Sequence, residues 1–191
     1  MPTRFEILRD DALGCTKCKL ATLGRSQVVF GTGDPGADLM FIGEGPGAEE
    51  DKQGLPFVGR SGQLLDKLMI EEIGITRADC YIANVVKCRP PGNRDPEADE
   101  IATCRPYLDE QLELIDPKVV VTLGKFSSQL LLESKIGITK LRGQQYPFRN
   151  GVLVPTLHPA YALRGGGEPM AQMRADFIRA KVALGAAGSG S

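Results

Sequence analysis

The sequence predicts an α/β domain with a central, mainly parallel four-stranded sheet flanked by helices. Short apolar runs alternate with stretches of helical periodicity, which is typical of parallel sheets with crossover helices. The length of 191 residues suits one compact domain. In addition, polar residues of unusual type follow several predicted strands, as expected where a parallel sheet ends at a binding site.

Four apolar runs are predicted to be buried strands. Each run is short and is bounded by glycine, proline or polar residues, which favours a strand over a helix. In chain order they are Ala37–Ile42, Tyr81–Val86, Val119–Leu123 and Val152–Thr156.

Helical patterns separate these strands. Residues 59–73 repeat leucine at helical spacing. A second helix is predicted to start with Asp95 as its N-cap and Pro96 at its first position. It should be kinked or restarted at Pro106 and end near residue 115. Two more helices are predicted over residues 125–132 and 169–184.

We predict a single domain over residues 1–184 and a flexible tail of Gly, Ala and Ser over residues 185–191. No apolar run approaches the roughly 18 residues of a membrane span, and the N-terminus lacks a signal-peptide core. A cytoplasmic, monomeric protein is therefore expected. The net charge of −1 argues against a strongly basic surface, but a local patch can still bind DNA phosphates.

Three strand ends carry polar residues that could form a site: Glu44, Asn84 and His158. Ligands of open parallel sheets bind at the carboxyl ends of the strands, so these side chains should lie together. His158 is the only histidine of the chain, and its place between a strand and Pro159 favours a functional role.

The cysteines form a second constellation. Cys15, Cys18, Cys88 and Cys104 could together hold a tetrahedral zinc ion or an iron–sulfur cluster, and the spacing does not decide between the two. The alternative is four unrelated buried cysteines that act as small apolar side chains. Cys80, at the start of a strand, is expected to be a core residue.

The segment Gly43–Gly47 is a glycine-rich turn after a strand. A simple tight turn and a phosphate-binding loop are both alternatives, but the segment lacks the third Rossmann glycine and the Lys-Ser/Thr pair of a P-loop. The following loop contains carboxylates and Phe57. An aromatic residue on a Gly/Pro-rich loop favours a binding site over a merely solvated acidic loop.

Three segments together resemble the family-4 uracil-DNA glycosylases: Gly43–Leu65, Asn84–Pro91 and His158–Arg164. The resemblance implies the uracil-DNA glycosylase fold and removal of uracil from DNA, leaving an abasic site in base-excision repair. It also implies a [4Fe-4S] cluster held by the four cysteines Cys15, Cys18, Cys88 and Cys104.

The resemblance assigns roles to five residues. The backbone of Glu44 and Gly45 would face the uracil, and Glu44 would organise the pocket. Phe57 would stack on the flipped base, Asn84 would read the pyrimidine edge, and His158 would contact O2. The chemistry agrees, because a carboxamide can accept from uracil N3–H and donate to O4, whereas a donor at O2 stabilises the departing anion.

The residue that handles the hydrolytic water is less evident. Many related glycosylases have an Asp after the residue that matches Glu44, but Gly45 occupies that position. Glu44 or Glu50 could replace it, and Glu50 is the preferred candidate.

DNA contacts are expected from basic residues near the motifs and from apolar wedges that fill the vacated base stack. The candidates are Lys87, Arg89, Arg142, Tyr161, Leu163 and Arg164.

Three other functions compete with this interpretation. One is a superfamily member with altered base choice or covalent trapping on uracil, although the trapping type carries an additional loop histidine that this chain lacks. Another is a catalytically weak iron–sulfur DNA-binding protein, which Gly45 makes conceivable. The third is a nucleotide-binding domain, which would leave Asn84, His158 and the cysteines unexplained.

Overall fold

The computed structural model describes residues 1–188 and contains a six-stranded sheet. The strands are β1 (Thr32–Gly33), β2 (Leu39–Gly43), β3 (Tyr81–Asn84), β4 (Val119–Leu123), β5 (Tyr146–Phe148) and β6 (Gly151–Thr156), in the spatial order β1-β3-β2-β4-β6-β5. The four central strands are parallel and correspond to the predicted ones. The count of four was wrong, because an antiparallel strand is added at each edge.

The two edge strands are too short for a sequence pattern to reveal them. β1 consists of Thr32 and Gly33, and β5 carries Pro147 at its centre. Proline lacks the N–H group of a sheet ladder and is tolerated at edges, so a Pro-containing run does not indicate a strand. Neighbouring β3 and β6 supply the pairing that forms these strands.

Both faces of the sheet are buried, as expected for parallel strands between helices. Along β2, Leu39 and Phe41 face one core, and Met40 and Ile42 face the other. This alternation follows the two-residue period of a strand. The result is a rigid support for the loops that follow the strand ends.

The helices cover both faces of the sheet, and α1 lies in the N-terminal arm, which is the segment that precedes β1. Their bounds are α1 Arg4–Leu13, α2 Ala48–Gln53, α3 Arg60–Leu68, α4 Ala98–Ile115, α5 Lys125–Leu131, α6 Ile138–Leu141, α7 Pro159–Gly165 and α8 Gly167–Gly188. A π-helical turn, Met69–Ile73, continues α3. No helix within residues 1–188 has the length and hydropathy needed to cross a membrane.

Helix α4 differs from its predicted form at its start and at its proline. Asp95 is not the N-cap: Glu97 caps the helix, and its backbone N–H donates to Oε2 of Glu100 at 2.8 Å. Pro106 lies inside one continuous helix and does not end it. Its missing N–H costs one helical hydrogen bond, and packing of the apolar face offsets that loss.

The segment after His158 and the start of the predicted tail are helical, although no helix is predicted for either. The segment after His158 forms α7, with Pro159 at its first turn, where proline fits well. Helix α8 continues to Gly188, so residues 185–188 of the predicted tail are helical. Residues 189–191 lie outside the described part of the chain.

Candidate active site and cysteine cluster

A cleft of about 730 Å³ opens at the carboxyl ends of the parallel strands. Glu44, Asn84 and His158, which follow or end three different strands, all line it. Glu50 of helix α2 and Phe57 of the loop after that helix line it as well. The fold therefore collects in one place the side chains that the strand-end argument singled out.

Asn84 is the last residue of β3 and is buried. Its Oδ1 is the one buried side-chain oxygen or nitrogen within residues 1–188 that has no hydrogen-bond partner. An unpaired buried acceptor costs free energy, and such atoms are found where a ligand supplies the donor. Asn84 thus offers an acceptor for a ligand N–H group.

Gly43 provides the space beside this carboxamide. A Cβ atom at position 43 would lie 2.5 Å from Oδ1 of Asn84 and 2.5 Å from Cζ of Phe57. Any side chain at this position would displace the Asn84 carboxamide or the Phe57 ring, so glycine preserves their arrangement.

Phe57 is held in a strained conformation that orients its ring. Its φ of 54° lies in the left-handed region, which non-glycine residues rarely adopt. Arg77 fixes this segment, because its guanidinium donates to the carbonyl oxygens of Pro56 and Phe57. The ring centroid lies 6.1 Å from that of His158, so both rings border the same space. Strain of this kind indicates pre-organisation.

His158 is a neutral imidazole with a fixed tautomer. Its Nδ1 accepts the backbone N–H of Ala160 at 3.1 Å, which leaves the ring proton on Nε2. Burial, followed by the positive charge of Arg164, lowers the pKa of His158 to about 4. At neutral pH the imidazole can therefore donate a hydrogen bond from Nε2 without carrying a charge.

Glu44 has the strongest perturbation among the carboxylates of the cleft. Burial and the nearby negative charge of Asp95 raise the pKa of Glu44 to about 7, and Lys125 partly opposes the shift. Asp95 and Lys125 also line the cleft. Glu44 can therefore change its charge near neutral pH.

Glu50, the predicted water-orienting residue, is engaged elsewhere. Its Oε1 accepts the backbone N–H groups of Val58 and Gly59 at 3.1 and 3.2 Å, and its Oε2 accepts that of Gly47 at 3.1 Å. These contacts fix the loop around Phe57. They favour a positioning role and lend no support to a direct role in water activation.

The four predicted cysteine ligands line one small cavity between the N-terminal arm and α4: Cys15, Cys18, Cys88 and Cys104. Arg25 donates to Sγ of Cys88 at 2.7 Å, and the backbone N–H of Lys87 donates to Sγ of Cys104 at 3.3 Å. Within residues 1–188, no three His, Cys, Asp or Glu side chains lie close enough together to hold one metal ion. N–H groups aimed at sulfur are nevertheless the arrangement that stabilises cluster thiolates.

Cys80 is separate from this cavity and is a core residue, as predicted. It is fully buried, and burial raises the pKa of its thiol to about 12. Its Sγ lies 3.7 Å from the sulfur of Met69. A thiol in this environment stays protonated and packs as an apolar group.

Helix α7 carries three of the predicted DNA-contacting residues, Tyr161, Leu163 and Arg164. Tyr161 and Leu163 are large and exposed, and Arg164 is exposed too. Tyr161 and Arg164 line the cleft directly. Arg89, half-buried, donates to Oδ1 of Asn93 at 2.7 Å in the loop after β3.

The structure contradicts two of the predicted DNA contacts. Lys87 is 1% exposed, and its ammonium donates hydrogen bonds to the backbone carbonyl of Asn84 and to Oε1 of Gln111 inside the protein. Arg142 makes two hydrogen bonds of 2.9 Å to the buried carboxylate of Asp176. Lys87 is therefore buried away from DNA phosphates and Arg142 is engaged by Asp176, and sequence position alone could not reveal these partners.

Sequence reasoning missed Asp95 and Lys125 as residues of the cleft. Asp95 was interpreted as a helix cap because it precedes proline. Lys125 follows β4 and Gly124 directly, so the strand-end rule could have found it.

The fold and the cleft together define a class of protein. A parallel α/β sheet that ends at an aromatic ring, an unpaired carboxamide and a neutral imidazole is suited to bind a planar heterocyclic base. The description "Uracil DNA glycosylase superfamily" belongs to the family model that matches residues 30–180. The chain belongs to this superfamily.

Several relatives carry more specific names. The type-4 uracil-DNA glycosylase of Sulfurisphaera tokodaii is 47% identical over 168 residues, which cover 83% of this chain and 76% of the relative. That of Thermotoga maritima is 47% identical over 162 residues, 84% of this chain and 83% of the relative. A type-5 uracil-DNA glycosylase of Thermus thermophilus is 28% identical over 144 residues, 68% of this chain and 64% of the relative.

Proposed function

We propose that the protein is a type-4 uracil-DNA glycosylase that hydrolyses the N-glycosidic bond of uracil flipped out of DNA and leaves an abasic site. The observation that carries this proposal is the unpaired Oδ1 of buried Asn84 beside the Phe57 ring. A base in a duplex is inaccessible to such a pocket, so the nucleotide must leave the stack to reach it.

Recognition of uracil is assigned to Asn84 and Phe57. Oδ1 of Asn84 accepts from uracil N3–H, and Nδ2 donates to O4; cytosine presents the opposite pattern at both positions. Stacking on Phe57 contributes about 1–3 kcal/mol for any base, so it does not discriminate. Selectivity therefore depends on the carboxamide.

Departure of the base is assigned to His158. Cleavage leaves negative charge on the uracil, and a donor aimed at O2 stabilises this charge as it develops. The N–H of Ala160 fixes the tautomer that places the proton on Nε2. A neutral donor of this kind needs no charge of its own.

Stabilisation of the sugar cation is assigned to Glu44. The ionised Glu44 carboxylate would place negative charge in the cleft and could accept a hydrogen bond from the attacking water. Position 45, next to Glu44, leaves little room for a side chain, because a Cβ atom at Gly45 would lie 2.8 Å from Cγ2 of Val86. Glu50 holds the loop that carries Phe57.

Four of the predicted DNA-contacting residues remain accessible to DNA: Arg89, Tyr161, Leu163 and Arg164. Tyr161 and Leu163 are proposed to fill the vacated stack, and the two arginines to bind phosphates. Tyr161 and Arg164 line the cleft, Arg89 lies in the loop after β3, and Tyr161 and Leu163 are 48% and 41% exposed.

We further propose that Cys15, Cys18, Cys88 and Cys104 hold a [4Fe-4S] cluster. Their shared cavity and the donors from Arg25 and Lys87 fit four thiolates. The cluster would cross-link the N-terminal arm, the loop that follows β3 and helix α4. Its role is structural, because hydrolysis needs no redox step.

The decisive test of the function is release of uracil from an oligonucleotide with one U·G pair, followed by alkaline cleavage of the abasic site. Cleavage at the uracil position is expected, and no cleavage of a matched C·G oligonucleotide. Intact uracil-containing strands at excess protein would overturn the proposal and leave only a DNA-binding protein.

The rate should depend on the charge of Glu44. Because its pKa is raised to about 7, the carboxyl is largely protonated at pH 6 and ionised at pH 8. The single-turnover rate should therefore rise roughly tenfold between these pH values. Glu44→Gln should give a lower rate without this rise. A flat profile in the unaltered enzyme would contradict the assignment.

The cluster gives a prediction on colour. The purified protein should be brown, absorb near ~400 nm and yield iron and sulfide. Cys80→Ser should keep the colour, because Cys80 packs in the core away from the cavity. Cys104→Ser should lose iron and lower the melting temperature. Zinc without iron in the native protein would refute the proposed ligand chemistry.

A further inference from the structure

Lys87 is a buried cation that neither DNA binding nor the proposed chemistry explains. Its side chain is among the largest fully buried ones, and none of the salt bridges within residues 1–188 includes it. An ammonium group removed from water is costly unless its hydrogen bonds compensate for the lost hydration. Its partners therefore indicate why the position carries a lysine.

One partner is the residue that reads the base. Nζ of Lys87 donates to the backbone carbonyl of Asn84 at 2.9 Å. The edge strand β1 pairs only with Tyr81 and Ile82 of β3, so it ends before Asn84. The Lys87 ammonium supplies the donor that the sheet does not provide at this point.

The other partner anchors the ammonium to helix α4. Nζ donates to Oε1 of Gln111 at 2.5 Å, and Nε2 of Gln111 donates to the carbonyl of Phe30 at 2.9 Å. Gln111 is fully buried, so this network is shielded from water. Gln111 thereby compensates the buried ammonium for its lost hydration, whereas the contact with Asn84 is made by Lys87 itself.

We propose that Lys87 is a positioning residue for base recognition, which holds the Asn84 backbone so that its carboxamide faces the uracil. The inference rests on the proposed function. Little space surrounds the Asn84 carboxamide, because a Cβ atom at Gly43 would already contact both Oδ1 and the Phe57 ring. Oδ1 also has no hydrogen bond of its own to hold it in place. A shift of the strand end would move the acceptor away from uracil N3–H.

The same segment reaches the cysteine cavity. The backbone N–H of Lys87 donates to Cys104 Sγ, and Cys88 is the next residue. Residues 84–88 therefore connect base recognition to the cysteines through one short piece of chain. Iron content must be measured in every variant, so that loss of the cluster is not mistaken for loss of positioning.

The test compares Lys87→Met with Gln111→Met. The first removes the donor to the Asn84 carbonyl, and the second disturbs the same network but leaves that donor in place. Lys87→Met is expected to weaken inhibition by free uracil about tenfold at unchanged iron content. Gln111→Met should change it less than twofold, although both variants lower the melting temperature. Equal effects of the two variants would overturn the proposal.

A double-mutant cycle tests whether Lys87 acts through Asn84. Lys87→Met should lower the single-turnover rate on uracil-containing DNA about tenfold in the native background. In the Asn84→Ala background the added effect should be below twofold. Equal factors in both backgrounds would refute positioning through Asn84. If Lys87→Met does not fold, Lys87→Gln replaces it with the same two comparisons and the same criteria, because its side chain is one bond too short to keep the 2.9 Å contact with the Asn84 carbonyl.

Failure of this inference differs from failure of the proposed function. A native protein that releases no uracil defeats the function itself. A native protein that releases uracil, together with a Lys87→Met variant that retains native inhibition by uracil, defeats only the role of Lys87.

Discussion

Replacing Asn84 with Asp is expected to lower uracil release by roughly 100-fold and to produce measurable release of cytosine, because an ionised carboxylate at this position repels uracil O4 while the protonated carboxyl can pair with either base. A buried carboxyl group tends to stay protonated. It can then donate to cytosine N3 and accept from the exocyclic amino group. The measurement is single-turnover cleavage of matched oligonucleotides that contain U·G or C·G pairs.

The matched control is Asn84→Ala. This variant should lose uracil release without any gain on cytosine, because a methyl group offers neither donor nor acceptor. An Asn84→Asp enzyme with the native preference for uracil would remove Asn84 from its role in recognition.

Replacing His158 with Ala should lower the rate of the chemical step by about 100- to 1000-fold, the range observed when one donor to a developing anion is removed. Binding of uracil-containing DNA should change much less, since the charge on O2 develops only in the transition state. His158→Gln retains an N–H donor and should recover part of the rate. Equal losses of binding and rate would point to a structural role instead.

The charge state of His158 can be measured directly. It is the only imidazole of the chain, so its NMR signals need no assignment by mutation. Because burial and Arg164 lower the pKa to about 4, the ring should remain neutral when the pH falls from 7 to 5. A midpoint near the ordinary value of about 6.5 would contradict a neutral donor.

The proposed mechanism separates two carboxylates that the sequence could not distinguish. Glu44 lies in the turn after β2, Glu50 lies in the helix α2 that follows, and both line the cleft. Glu50 is engaged by three backbone N–H groups, which leaves it a role in loop geometry. Within residues 1–188 no backbone N–H group donates to the Glu44 carboxylate, and burial together with Asp95 raises its pKa. The difference arises from which backbone amides the fold places around each carboxylate.

The sequence by itself determined the four parallel strands, the cleft at their carboxyl ends and the set of four cysteines. These features depend on local patterns: short apolar runs, the residue after each strand and the identity of rare side chains. Asn84 and His158 could be recognised because a strand end gives a residue a known place in the fold.

Only the tertiary structure decided which charged side chains are available to a ligand. Lys87 and Arg142 look like surface cations in the sequence, yet both are held by polar partners from distant parts of the chain. The short strands β1 and β5 likewise exist only because longer strands pair with them. Burial and pairing depend on residues far apart in sequence, and no local pattern contains that information.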